Sequence, residues 1–124
     1  MDLRHFQSEL TRLLAGIEHP RVMAALALTE EAGEVARCVL DAEGYGKDVR
    51  EALAGEVGDT LVALAEVATR YGVSLEDAAS CALEKIARKA PGWKAELAGR
   101  LVELRRRMDG GEADAAGGAT RGAS

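Results

Sequence analysis

Two acidic clusters interrupt otherwise apolar stretches of this 124-residue chain: Glu30-Glu31-Ala32-Gly33-Glu34 and Glu56-Val57-Gly58-Asp59. The first follows Val22-Met23-Ala24-Ala25-Leu26-Ala27-Leu28, and the second precedes Leu61-Val62-Ala63-Leu64-Ala65. A helix that is apolar nearly all round is expected to be buried, and carboxylates set into it are costly unless something pairs with them. Surface acids usually find a Lys or Arg three or four positions away. Here the first cluster has only Arg37, and no basic residue lies between Arg50 and Arg70. Glu31 and Glu34, at i and i+3, share one helical face with Cβ atoms about 5–6 Å apart, and Glu56 and Asp59 repeat the arrangement. If the two helices are neighbours, four carboxylates converge. Each pair then repels by about 4 kcal/mol at roughly 4 Å and an effective dielectric of roughly 20. The centre calls for positive charge.

Oxygen-only ligands point to a hard cation, Mg²⁺ first and Mn²⁺ second. Zinc would want His or Cys, and Cys38 lies a full turn past Glu34. A di-iron bundle would want Glu-x-x-His on two helices, and neither His5 nor His19 follows a Glu at that spacing. Mg²⁺ keeps waters and open positions, which suits a polyphosphate better than a closed structural site. Gly33, Gly55 and Gly58 fall beside the acids, where a missing side chain admits either a ligand or a closely packed second helix.

The elements that position these acids are helical. Asp2 caps a first helix to about Ala15, with Leu3, Phe6, Leu10, Leu13 and Leu14 on one face, ended by Gly16 and the His19-Pro20 step. A second helix begins near Pro20 or Arg21 and runs to about Ala42. Gly44-Tyr45-Gly46-Lys47-Asp48 reads as a plain turn, and Asp48 caps a third helix that ends at Tyr71-Gly72. The short turn makes helices two and three antiparallel neighbours. Ser74 caps a fourth helix, with Asp77 three residues on, and this helix stops before Pro91-Gly92. A fifth, Trp93 to about Met108, carries Leu97, Leu101 and Leu104 on one stripe, and its Arg105-Arg106-Arg107 run complements the helix dipole. The expectation is therefore an all-α antiparallel bundle of four to five helices over residues 1–108. From Asp109 to Ser124 the chain turns to Gly, Ala, Asp and Ser without an apolar stripe, and reads as a disordered tail.

Composition bounds the remaining possibilities. A net charge of −5 disfavours non-specific nucleic-acid binding, although a divalent cation can still invert the sign where phosphates sit. No stretch reaches the roughly 18 apolar residues of a membrane span, and Met1-Asp2-Leu3-Arg4-His5-Phe6 lacks the form of a secretion signal. Neither nucleic acid nor membrane is expected as a partner, and the location is expected to be cytoplasmic. Cys38 and Cys81 form no CxxC pair and read as buried, reduced thiols. Aromatics make up 3% of the chain, so thin Ala-rich helices supply the core. Such a core calls for completion by a second subunit, as a homodimer or a dimer of dimers.

Glu-Glu-x-x-Glu, a spacer of 21 residues and Glu-x-x-Asp together resemble the signature of the all-α nucleotide pyrophosphohydrolases of the MazG type, which include dimeric dUTPases and dCTP pyrophosphatases. The segment from Leu61 to Pro91, with Tyr71-Gly72-Val73-Ser74-Leu75-Glu76-Asp77-Ala78 in its middle, resembles that family's third-to-fourth helix region. The resemblance covers about residues 20 to 91 and implies that Glu31, Glu34, Glu56 and Asp59 are metal ligands, while Glu30 supports them or orients the attacking water. It implies hydrolysis of a nucleoside triphosphate between its α and β phosphates, with Mg²⁺ as cofactor and with Glu30 or Glu31 readying the water. No Ser or Cys sits beside a His to act as a covalent nucleophile. Relatives often carry a basic residue followed by Asn late in the fourth helix; Lys85 matches, but Ile86 stands in place of the Asn. Lys85, Arg88 and Lys89 either neutralise phosphates or complement the helix dipole. His5 and Phe6 are the nearest handles for a base. Two alternatives accompany this reading: phosphoribosyl-ATP pyrophosphohydrolase, and a non-catalytic helical dimerisation module.

Overall fold

A computed structural model describes residues 1–117, and among them every regular element is an α-helix. Helix α1 (Leu3–Leu13) opens on Asp2, whose carboxylate accepts the His5 backbone N–H at 2.8 Å. Helix α2 (Arg21–Tyr45) starts directly after Pro20, whose fixed φ suits a helix entry. It ends at Gly46, which takes the left-handed conformation at φ 63°. Helix α3 (Arg50–Arg70) follows Asp48, whose Oδ1 accepts the Arg50 N–H at 3.2 Å. Helix α4 (Leu75–Gly117) begins at Ser74, whose hydroxyl accepts the Asp77 N–H at 3.2 Å.

Helix α4 corrects two expectations. It continues unbroken through Pro91, where a stop and a separate fifth helix were expected. Proline costs the bond to the carbonyl four residues earlier, but the remaining ladder on both sides carries the helix through. It also extends past Met108 to Gly117, into the segment read as a tail; residues 118–124 of that segment lie outside the described residues.

The chain divides into two compact units, Met1–Cys81 and Ala82–Ser124. In the first, residues 46–49 join α2 to α3 across too short a span for anything but an antiparallel pair, and the two helices pack together. Helix α1 lies against α3. The packing is dominated by alanine: Ala24, Ala63, Ala65 and Ala68 are buried, together with Cys38 and Leu75. Leu3, Phe6 and Leu10 close over Ala65, Ala68 and Leu75. Small side chains bring the helix axes close but remove little apolar area from water each, so such a core is thin. Among the described residues no large side chain is fully buried, whereas Val22, Met23, Leu26, Val39 and Leu40 of α2 are all exposed. Leu13, expected on the packed face of α1, is exposed, and so is Cys81, where a buried thiol was expected.

Polar tethers supplement this core. The Gln7 side chain donates to Thr69 Oγ1 (3.0 Å) and to the Val73 carbonyl (2.8 Å), and accepts the Leu75 N–H (2.9 Å). One amide thereby fixes the α3–α4 turn to α1. Arg70 ties the loop before α2 to the same end of α3, donating to the His19 carbonyl at 2.7 Å and pairing with His19 Nδ1 at 2.9 Å. With Arg70 donating to Nδ1, the neutral ring carries its proton on Nε2, which lies 3.8 Å from Glu66 Oε1. The loop before α2 is thus clamped to the last turns of α3. Arg70→Ala is expected to cost about 1–3 kcal/mol through the loss of these partly buried, charge-assisted bonds. Arg4→Ala, which breaks only the exposed 3.2 Å pair with Glu76, is expected to cost less than about 1 kcal/mol. Urea unfolding of the two variants side by side checks the contrast.

Candidate metal centre

The antiparallel packing of α2 on α3 brings Glu31 of the first helix to Glu56 and Asp59 of the second. Carboxylate oxygens from these three residues lie within 4.8 Å of one another, with Glu31 and Glu56 half-buried and Asp59 exposed. Two residues three positions apart on α3 supply one side of the cluster, and a single residue of α2 supplies the other. Thr60 caps the arrangement on α3 by donating its hydroxyl to the Glu56 carbonyl at 2.7 Å.

Glu34, the fourth acid expected to converge here, is not one of this group. Its carboxylate pairs instead with Arg37, one turn further along α2. Its Oε2 atom is shut off from solvent, and the contact with the guanidinium is one of charge without hydrogen-bond geometry. The physical reason is local: in a helix the i+3 cation is the nearest counter-charge, and it draws Glu34 away from three like charges. Glu30 is exposed beside Glu31.

The electrostatics of the cluster show in Glu31, whose carboxyl is pushed above the usual glutamate range. Loss of solvent contributes most, followed by the charges of Asp59, Glu30, Glu56 and Glu34. All four neighbouring acids act in the same direction, and a proton or a cation relieves them. Only carboxylate oxygens form the group, so the donor set suits a hard dication and offers zinc neither imidazole nor thiolate. Gly33, Gly55 and Gly58 face open space: a Cβ built on any of them meets nothing within 4 Å. Of the two readings of these glycines, close helix packing is therefore not observed among the described residues.

Of the residues expected to contact substrate, Phe6 packs against the core and the others are on the surface. His5 is exposed on α1 in the first unit; Lys85, Arg88 and Lys89 are exposed on the part of α4 that belongs to the second unit. Sequence reasoning passed over the clamp formed by His19, Glu66 and Arg70 (its signal was the i, i+4 placement of Glu66 and Arg70 near the end of α3). It also underrated Arg37 as a competitor for Glu34.

The raised Glu31 carboxyl carries a definite sign for stability. The folded chain holds this proton more tightly than the unfolded chain, so the Glu31 contribution is lost as pH rises through the raised value. Asp48 and Glu103, held low by Arg50 and by Arg106 with Arg107, act in the opposite direction. A difference measurement separates them. In metal-free buffer, Glu31→Gln is expected to gain stability relative to the parent as pH rises from about 4 to about 7, across the carboxylate range. Thermal melts of both proteins across that range check it.

One family model, described as the MazG nucleotide pyrophosphohydrolase domain, matches residues 20–93, more than half of the chain and the whole of the acidic cluster. Neither a curated protein nor a solved structure matches it.

Proposed function

We propose that this chain, which belongs to the MazG nucleotide pyrophosphohydrolase family, hydrolyses a nucleoside triphosphate to its monophosphate and pyrophosphate with Mg²⁺ as its cation. The observation that carries this reading is the meeting of Glu31, Glu56 and Asp59 across two helices. Mn²⁺ suits the same donors.

Glu31, Glu56 and Asp59 would hold the cation, and Glu34 is the fourth ligand once it leaves Arg37. When bound, a divalent ion supplies charge neutralisation on the phosphates and polarisation of the phosphorus under attack. The chain's own residues do the rest. Glu30, exposed next to Glu31, accepts the proton of the attacking water, and Glu31 is the second candidate for that role because its proton affinity is already raised. Direct attack by water is favoured over a covalent intermediate, since Cys38 is buried and Cys81 stands without a base in the described hydrogen bonds. Lys85, Arg88 and Lys89 are exposed cations available to phosphate, and His5 is an exposed handle for a base.

The thin alanine core and the exposed apolar residues of α2 support a homodimer, or a dimer of dimers, in which these side chains meet a second copy. No described helix is long and apolar enough to cross a membrane, and we place the protein in the cytoplasm, with a nucleotide and not a nucleic acid as partner.

Pyrophosphate release from a panel of (d)NTPs, dUTP and phosphoribosyl-ATP, with Mg²⁺ or with EDTA, tests the reading. Mg²⁺-dependent release of pyrophosphate from at least one nucleoside triphosphate is expected. Asp59→Asn is expected to slow it by at least about 100-fold, the loss of roughly 3 kcal/mol of transition-state stabilisation. Release of orthophosphate alone, or activity that persists in EDTA, contradicts it.

A further inference from the structure

The second compact unit, Ala82–Ser124, contains among its described residues one helix and nothing else. A lone helix is marginal in water unless an amphipathic face is covered. Trp93, Leu97, Leu101, Leu104 and Met108 are each more than half exposed, and at 3.6 residues per turn they fall within a sector of about 80°. All but Trp93 lie beyond the residues matched by the family model. The 4-3-4 spacing from Ile86 through Ala90 and Trp93 to Leu97 repeats from Leu97 through Leu101 and Leu104 to Met108. This eleven-residue period almost equals three turns of an unstrained helix, so the stripe stays on one side of a nearly straight rod.

From this stripe and its flanks we infer that the distal half of α4 is a self-association helix, pairing antiparallel with the same segment of a second copy. One flank carries Glu96, Arg100, Glu103 and Arg107; the other carries Lys94 and Arg105. In an antiparallel pair centred on Leu101, that residue faces its own counterpart, Leu97 faces Leu104, and Trp93 faces Met108, a favourable thioether–aromatic contact. The same register sets Glu96 across from Arg107 and Arg100 across from Glu103, giving four opposite-charge pairs by symmetry. Lys94 and Arg105 on the other flank give two like-charge pairs. In a parallel pair the flanks would instead bring Lys89 to Lys94 and Arg100 to Arg105, all like charges. Within one chain the Glu96–Arg100 and Glu103–Arg106 and Arg107 ion pairs already orient these side chains. The apolar stripe supplies the affinity and the charges select the orientation.

Cysteine cross-linking of the full chain tests the pairing, in a Cys81→Ser background because Cys81 is exposed. Leu101 is itself exposed, so Leu101→Cys leaves folding intact; under mild oxidation it is expected to form a covalent dimer as the main product. Trp93→Cys alone is expected to give little, while a mixture of Trp93→Cys with Met108→Cys gives the cross-linked pair. Adding Leu97→Glu and Leu104→Glu to Leu101→Cys is expected to cut its yield about ten-fold, since the pair would bury unpartnered carboxylates. Absence of the Leu101→Cys dimer, or a yield unmoved by the two glutamates, overturns the inference. Self-linking of Trp93→Cys as strong as that of Leu101→Cys overturns the orientation and the inference with it. Co-sedimentation with phosphatidylglycerol vesicles that abolishes the cross-link assigns the stripe to a membrane surface instead, and also overturns it.

Discussion

Electrostatic repulsion among three carboxylates, held together by the close contact of two alanine-lined helices, is the constraint on which the first unit of this protein turns. Glu31, Glu56 and Asp59 come within 4.8 Å because α2 and α3 are antiparallel and joined by a short loop. The Glu31 carboxyl is displaced upward by loss of solvent first, and then by the repulsion of every neighbouring acid. A divalent cation bound at the centre would offset this repulsion.

The rest of the unit is modest by comparison. Alanine contributes little buried area, and no large side chain is fully enclosed among the described residues. Polar tethers therefore matter more than they would in a Leu-rich bundle: Gln7 ties α1 to the turn before α4, and Arg70 ties the His19 loop to α3. Both act at the C-terminal end of α3, well beyond Asp59.

Much of this was legible in the sequence, for identifiable reasons. The i, i+3 spacing of Glu56 and Asp59 fixed them on one face of α3, and the short connection set α2 antiparallel to it, although α2 runs on through Gly44 and Tyr45, past its expected end near Ala42. The caps at Asp2 and Ser74 and the glycine stops at Gly46 and Gly72 followed from side-chain and backbone chemistry that acts within a few residues. What failed to show were outcomes of competition. Arg37 attracts Glu34 and the neighbouring acids repel it, and spacing alone does not show that the side chain turns to Arg37. Pro91 weakens a helix locally, yet a long ladder on either side carries α4 across it. Cys81 sits in an apolar-looking stretch, but whether that stretch is covered depends on tertiary packing. The clamp of His19 by Arg70 joins residues 51 positions apart, so the i, i+4 placement of Glu66 and Arg70 does not reveal which partner they take.

The central claim is that the carboxylate cluster is completed by a divalent cation, and thermal unfolding in EDTA against millimolar Mg²⁺ tests it most directly. Ligand at about 100 times its dissociation constant adds about 2.7 kcal/mol to the folded state, which for a domain of this size raises the melting temperature by several degrees. The account predicts such a rise for the parent chain and its loss in a Glu56→Gln, Asp59→Asn variant. Superimposable melts of the parent with and without the metal would contradict it.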